Sequence, residues 1–215
     1  MHRGGTLDHF KAKTVAYKGS KRKLLNNILQ LTQEVNATTV FDGFSGTGIV
    51  SAMLRSNGYE VHSNDLNHSS YIYGKVFLEG FDMPVVSEHL EIMNGLEPHS
   101  GWLTENYSGT VMRKVRAKEG LHIRTLGLLE QNAMKIDSAR NYIEKLSGVS
   151  ERNKNALIFS VILGLDSVFN NSNDQKSSLK EWSAKSLKIV TFKPPTLIEG
   201  KKGKQFQGDI FSLSL

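Results

Sequence analysis

The stretch Val40-Phe41-Asp42-Gly43-Phe44-Ser45-Gly46-Thr47-Gly48 constrains this chain more than any other. An apolar run ends in an acid, and two glycines follow just before a segment with helical spacing. Gly46 and Gly48 permit a tight turn and a close approach of backbone to a ligand. A helix that begins there offers N–H groups with no partner of their own. The periodicity predicts a helix over 20–35, a strand over 38–42, a helix over 48–57, a strand over 59–64 and a helix over 68–80. Strands alternating with helices imply a parallel, doubly wound sheet.

Asp42 stands where the first strand would deliver it to the mouth of that sheet. A carboxylate there suits a cationic amine, such as the one on the methionine moiety of S-adenosyl-L-methionine (SAM), and suits a pyrophosphate poorly. The dinucleotide alternative needs G-x-G-x-x-G/A after a strand and an acid about 20 residues on. Gly46-Thr47-Gly48-Ile49-Val50-Ser51 places Ser at the third position, a near miss. The acid is present as Asp65, at the end of Gly58-Tyr59-Glu60-Val61-His62-Ser63-Asn64-Asp65. A carboxylate after the second strand binds ribose hydroxyls in either cofactor class, so Asp65 implies a nucleoside and Asp42 selects which one.

Upstream lies Tyr17-Lys18-Gly19-Ser20-Lys21-Arg22-Lys23-Leu24-Leu25. Ser20 suits a helix cap, with Leu24, Leu25, Ile28, Leu29 and Leu31 following at helical spacing. A glycine turn with a lysine beside it is a ready carboxylate site, and Lys21 is the best placed cation. A capped surface helix with a solvated basic end is the plainer reading of the same residues.

In this order the three stretches resemble the Dam-like, alpha-ordered DNA adenine methyltransferases. These carry a Tyr-x-Gly-x-Lys element, then Asp-x-Phe-x-Gly-x-Gly, then an acid after the second strand. The resemblance implies that Tyr17 and Lys21 hold the SAM tail and its carboxylate. It implies that Asp42, Phe44, Gly46 and Gly48 line the methionine and that Asp65 binds the ribose. Weaker similarity covers Asn132–Arg140 and Ser183–Leu187, expected as helices, and Gln207-Gly208-Asp209-Ile210-Phe211. There the family places an acid on the adenine amine, which assigns Asp209 and Phe211 to the cofactor too. The implied fold is a SAM-dependent methyltransferase Rossmann-like parallel sheet, incomplete, with a mainly helical insert. Its parts are a SAM-binding portion over 1–81, a target recognition region over 82–204, and a return to the core over 205–215.

The family's catalytic Asp-Pro-Pro-Tyr does not occur in these 215 residues. The one double proline, Phe192-Lys193-Pro194-Pro195-Thr196, offers a lysine where an acceptor for the amine hydrogens is needed, and a threonine where an aromatic face would stack on a flipped base. It reads as loop punctuation. The expectation is an adenine-N6 methyltransferase of restriction-modification or phage type, as a truncated chain or one half of a split enzyme. A second polypeptide would then supply the motif. The alternative is a non-catalytic DNA-binding or specificity subunit.

Charge supports a duplex partner. Residues 1–30 hold seven Lys/Arg against one Asp, and 176–204 hold eight Lys against two Glu. Phosphate contacts supply most non-specific affinity for double-stranded DNA. Arg113, Lys114, Arg116 and Arg124 suit phosphates or guanine edges, and Asn170-Asn171-Ser172-Asn173 forms a polar loop. Trp102, Tyr107 and Trp182 read as packing residues. With no cysteine there is no disulfide, no cysteine zinc site and no nucleophile for cytosine-C5 methylation. No apolar run approaches a membrane span, so a soluble, cytoplasmic protein is expected.

Between about 82 and 120 the periodicity fades, and Pro84, Gly95, Pro98, Gly101 and Gly109 mark loops. Leu128, Asn132, Ile136, Ala139, Ile143 and Leu146 then trace a helical face, and Ser150 suits the cap of a second, largely buried helix.

Overall fold

The computed structural model describes residues 7, 10–16, 19–108, 113–117, 120–124, 127–171 and 182–213. In chain order the main elements are α1 (Leu25–Glu34), β1 (Thr39–Asp42), α2 (Ile49–Ser56), β2 (Glu60–Asp65), α3 (His68–Gly74), α4 (Met83–Gly95) and α5 (Trp102–Tyr107). Then follow β3 (Arg113–Ala117), β4 (Gly120–Arg124), α6 (Glu130–Lys145), α7 (Glu151–Val168) and β5 (Gln205–Gln207). A 3₁₀ turn, Lys21–Leu24, leads into α1, and a π-helical stretch, Lys75–Glu79, continues α3. The fold is mixed α/β. It divides into two compact units, one of residues 1–86, 150–159 and 194–215, the other of 87–149 and 160–193.

The first unit is built on a parallel sheet of order β1-β2-β5. Thr39, Val40 and Phe41 are the β-branched and aromatic residues that favour extended backbone. They pair in register with Glu60, Val61 and His62, and Asp42 pairs with Ser63. On the other side of β2, Ser63, Asn64 and Asp65 pair with Gln205, Phe206 and Gln207. Helix α2 packs on β2, and α3 packs on β2 and β5. Ile49, Met53, Leu54, Val61, Val76, Phe77, Leu78 and Phe159 are buried in this unit. The Phe159 ring meets Tyr73 at 4.6 Å and Phe77 edge-on at 5.4 Å.

Two devices bring the chain back to the sheet. A side chain at Gly203 would place its Cβ 1.5 Å from the carbonyl oxygen of Val61, so only glycine lets that segment run so close to β2. The buried Arg55 donates to the carbonyls of Phe77 and Gly200, tying the returning strand to α2 and the π-helical stretch.

In the second unit, side-chain amides substitute for sheet ladders. Asn132 of α6 donates to Lys188 O and accepts from Val190 N–H, at 2.7 and 2.9 Å. Asn94 of α4 does the same to Phe192, at 2.9 Å in both directions. The buried carboxylate of Asp137 caps α5, accepting from the N–H groups of Leu103 and Thr104 and from the Thr104 hydroxyl. Strands β3 and β4 form an antiparallel hairpin in which Arg113 pairs with Arg124.

The early elements fall within a residue or so of their expected limits, and Ser150 accepts from Asn153 N–H at the head of α7. The stretch expected to lack a pattern instead holds α4, α5 and the β3–β4 hairpin. Pro84, read as a loop marker, sits in the first turn of α4, where a missing N–H costs nothing. Val86, Leu90 and Met93 then form the buried stripe. Ser183–Leu187, expected as a helix, is a turn, because Asn170 Oδ1 takes the Ser183 N–H and the Ser186 hydroxyl. Trp102 and Tyr107 pack on each other at 5.5 Å yet remain exposed, so neither is a core residue. Tyr17, Ser172 and Asn173 lie outside the described residues. No described helix is long and apolar enough to cross a membrane.

Candidate functional site

Parallel pairing brings the ends of β1 and β2 together with the loop between β1 and α2. Asp42 is half-buried, and Ser51 of α2 donates its hydroxyl to Asp42 Oδ2 at 2.7 Å. Burial pushes the Asp42 carboxyl above its ordinary range. The Ser51 hydroxyl and the Phe44 N–H pull it back, and the negative charge of Asp65 raises it further. A cationic group placed beside this pair would offset both the burial and the repulsion.

Asp65 is half-buried and braces the loop. Its Oδ2 accepts from Gly46 N–H at 2.8 Å and its Oδ1 from Asn67 N–H at 2.9 Å. Gly46 and Gly48 have φ of +53° and +71°, the left-handed region that favours glycine. A Cβ at Gly48 would come within 2.9 Å of the Phe77 ring, whereas one at Gly46 would meet nothing within 4 Å. The loop is therefore pressed onto the core at Gly48 and open at Gly46.

The third wall comes from β5. Gly208 N–H donates to Asp65 O at 3.2 Å, and Asn64 Nδ2 reaches Gly208 O at 3.0 Å and Gly43 O at 3.4 Å. One buried amide thus spans the loops that leave the two outer strands. Asp209 caps the 3₁₀ turn Ile210–Ser212 by accepting from Phe211 N–H at 3.1 Å, and it is exposed.

Each of the three strand ends is followed by a large apolar side chain left in the open. Phe44 follows β1 at 79% exposure, Leu66 follows β2 at 74%, and Phe211 follows β5 at 94%. Two polar atoms of the same region, Ser45 Oγ and Asn64 Oδ1, are buried with no partner among the described residues. Such groups are normally satisfied by protein, water or a ligand. Lys21 is exposed, its ammonium 3.3 Å from Gly19 O, on a turn that packs against α2.

The structure thus joins Gly46 to Asp65 by a hydrogen bond, brings Asp42 within electrostatic reach of Asp65, and sets Phe44, Gly48, Asp209 and Phe211 at the same end of the sheet. It places Lys21 on an element touching α2, and Tyr17 is not among the described residues. Sequence reasoning missed Ser51, Asn64 and Leu66. Leu66 had a readable signal, being an apolar residue directly after the second-strand acid. Ser51 and Asn64 had none, because their partners come from other elements. No group of three or more His, Cys, Asp or Glu able to hold a metal occurs among the described residues. The site offers paired acids, glycine-exposed backbone and apolar surface, a set suited to a ligand with a cation, hydroxyls and a flat ring.

Comparison with known proteins gives that ligand a context. The family model for D12 class N6 adenine-specific DNA methyltransferase matches residues 17–214, which include every residue named at the site. The type II methyltransferase M.NlaIII of Neisseria lactamica is 26% identical over 206 residues, covering 90% of this chain and 58% of that protein. The type II methyltransferase M.CviAII of Paramecium bursaria Chlorella virus 1 is 30% identical over 191 residues, 84% of this chain and 54% of that one. The modification methylase LlaI of Lactococcus lactis subsp. lactis is 28% identical over 191 residues, 83% of this chain and 29% of that protein. The chain therefore spans less than two thirds of the length of each of these relatives. No solved structure matches it.

Proposed function

The chain belongs to the D12 class N6 adenine-specific DNA methyltransferase family, and from that premise we propose that the carboxyl ends of β1, β2 and β5 bind SAM for transfer to adenine in duplex DNA. The observation that carries this reading is the set of exposed apolar side chains after all three strands, gathered around the Asp42–Asp65 pair.

Bound there, SAM would supply an electrophilic methyl group on its sulfonium. Asp42 would hold the ammonium, and Lys21, with Tyr17, the carboxylate end. Phe44, Gly46 and Gly48 would line the methionine, with the backbone at Gly46 free to approach it. Asp65 would accept from the ribose hydroxyls with the lone pairs that Gly46 and Asn67 leave unused. Leu66 and Phe211 would shield the adenine, and Asp209 would take its amine. Holding the donor in one geometry is the chain's share of the rate, since positioning replaces an encounter with an intramolecular step.

The acceptor for the target amine is a separate question. Pro194 and Pro195 lie in a stretch without regular secondary structure, and Lys193 beside them is exposed, which supports the loop reading. We propose that a polypeptide carrying Asp-Pro-Pro-Tyr, continuous with these residues or separate from them, clamps the flipped adenine. Among the described residues strand β1 is at the edge of the sheet, and its own Phe41 is exposed at 36%. An edge strand with an exposed apolar side chain is one that native proteins cover, which supports docking of a further strand there. The second unit would meet DNA, with the basic hairpin β3–β4 as the element nearest in kind to a groove reader.

Transfer of labelled methyl from SAM to duplex DNA, measured with and without extract of the source cell, tests this reading. Label on adenine N6 in either arm supports it. Retention of DNA with no SAM binding favours the specificity-subunit alternative.

A further inference from the structure

We propose that Ser51 is a positioning residue that keeps the Asp42 carboxylate fixed and charged for the cationic end of the methyl donor, an inference that rests on the SAM reading of the site. Several hydroxyls in the described helices bond back to their own helix. Thr32 donates to Ile28 O at 2.7 Å, Ser56 to Met53 O at 2.7 Å and Ser167 to Gly164 O at 2.7 Å. That local bond is the default for a helical Ser or Thr. Ser51, like Thr104 toward Asp137, instead donates across to a carboxylate, reaching Asp42 Oδ2 at 2.7 Å.

Ser51 is completely buried, so its hydroxyl is held away from bulk water. It stands in the first turn of α2, the helix that Gly48 introduces, so the same loop that faces the ligand fixes where the hydroxyl points. The charges around Asp42 do not replace it. Asp65 on β2 opposes ionisation of Asp42. Glu60 and His62, nearer the start of β2, are paired with each other at 3.4 Å. Arg55, one turn further along α2, gives its guanidinium to the carbonyls of Phe77 and Gly200. Besides Ser51, the donor acting on Asp42 is the Phe44 N–H.

The test compares wild type with Ser51→Ala in two measurements. The first follows the Asp42 carboxyl carbon by NMR through an acid titration of the ligand-free chain. The midpoint should move to higher pH in the variant, because the lost hydrogen bond favoured the charged form. Ser51→Cys, with nearly the same volume and a weaker donor, should move it the same way by less. The second is calorimetric binding of S-adenosylhomocysteine, the demethylated donor, between about pH 5 and about pH 8. Ser51→Ala should lose about tenfold in affinity at the acid end and about threefold or less at the alkaline end, the scale of one hydrogen bond to a charged group. In an Asp42→Asn background the same change should have one effect at every pH. An Asp42 midpoint that does not move in a folded Ser51 variant overturns the proposal. Wild type that binds no S-adenosylhomocysteine at any pH overturns the cofactor reading, while the titration still decides the role of Ser51.

Discussion

Gly46 N–H donates to Asp65 Oδ2 at 2.8 Å, so the end of the second strand holds the glycine loop that leaves the first. The acid that the ribose would use is thus also the brace of the loop that would carry the methionine. Asp65→Ala should therefore weaken both halves of the site together, with a larger loss of SAM affinity than one ribose contact accounts for. Asp65→Asn, which keeps an acceptor for Gly46, should retain more affinity than Asp65→Ala. Calorimetry on the two variants checks the order, and equal losses would remove the bracing role.

Gly48 should resist any side chain. Gly48→Ala forces a left-handed φ on a residue with a Cβ and drives that Cβ to 2.9 Å from the buried Phe77 ring. The combined cost should be about 1–3 kcal/mol or more of stability, read from denaturant unfolding. Gly46→Ala, where the Cβ meets nothing within 4 Å, carries only the backbone strain, so it should fold better while still impairing ligand binding.

Asp42 should trade stability for binding. Burial raises its carboxyl above the ordinary value, so the charged form carries a cost in the folded state. That cost is absent at low pH, where folded and unfolded chains are both protonated, and is complete once pH exceeds the raised value. Asp42→Asn should therefore stabilise the ligand-free chain near neutral pH relative to acid, in thermal unfolding at the two conditions. A variant no more stable at neutral pH would mean that the hydrogen bonds from Ser51 and Phe44 outweigh burial.

Duplex affinity should fall steeply with salt, because each neutralised phosphate releases counterions. Reversing the charge of the exposed Lys201, Lys202 and Lys204 should flatten that slope if they lie on the backbone. An unchanged slope assigns all three to solvent.

The βαβ start was legible because its chemistry is local. Val40 and Phe41 favour a strand, Gly46 and Gly48 force the turn, and Ile49, Ala52 and Met53 give α2 its buried face. Helix α6 was legible for the same reason, with Asn132, Ile136, Ala139 and Ile143 all buried on one face. Strand β5 was legible only through the resemblance, since Gln205-Phe206-Gln207 has little strand character of its own and pairs where Gly203 and Arg55 bring it beside β2. Helix α4 was hidden by Pro84, and the hairpin by the charges that surround Val115, Leu121 and Ile123. Within the site, residues whose role is their own chemistry, such as Asp42 and Asp65, were readable from position in the motif. Ser51 and Asn64 act on partners 9 residues or more away in sequence, and nothing in a linear pattern reports such a bond.

On the proposed reading, the carboxyl ends of the three strands form a SAM site in which Asp42 holds the cationic end. Calorimetric titration of the chain with SAM, with S-adenosylhomocysteine and with NAD tests it most directly, run beside Asp42→Ala. The expected result is binding of both sulfur compounds, no binding of NAD, and a loss of about 1.5–3 kcal/mol in the variant, the scale of a hydrogen bond to a charged group. Binding of NAD with none of SAM, or SAM affinity unchanged in Asp42→Ala, would contradict it.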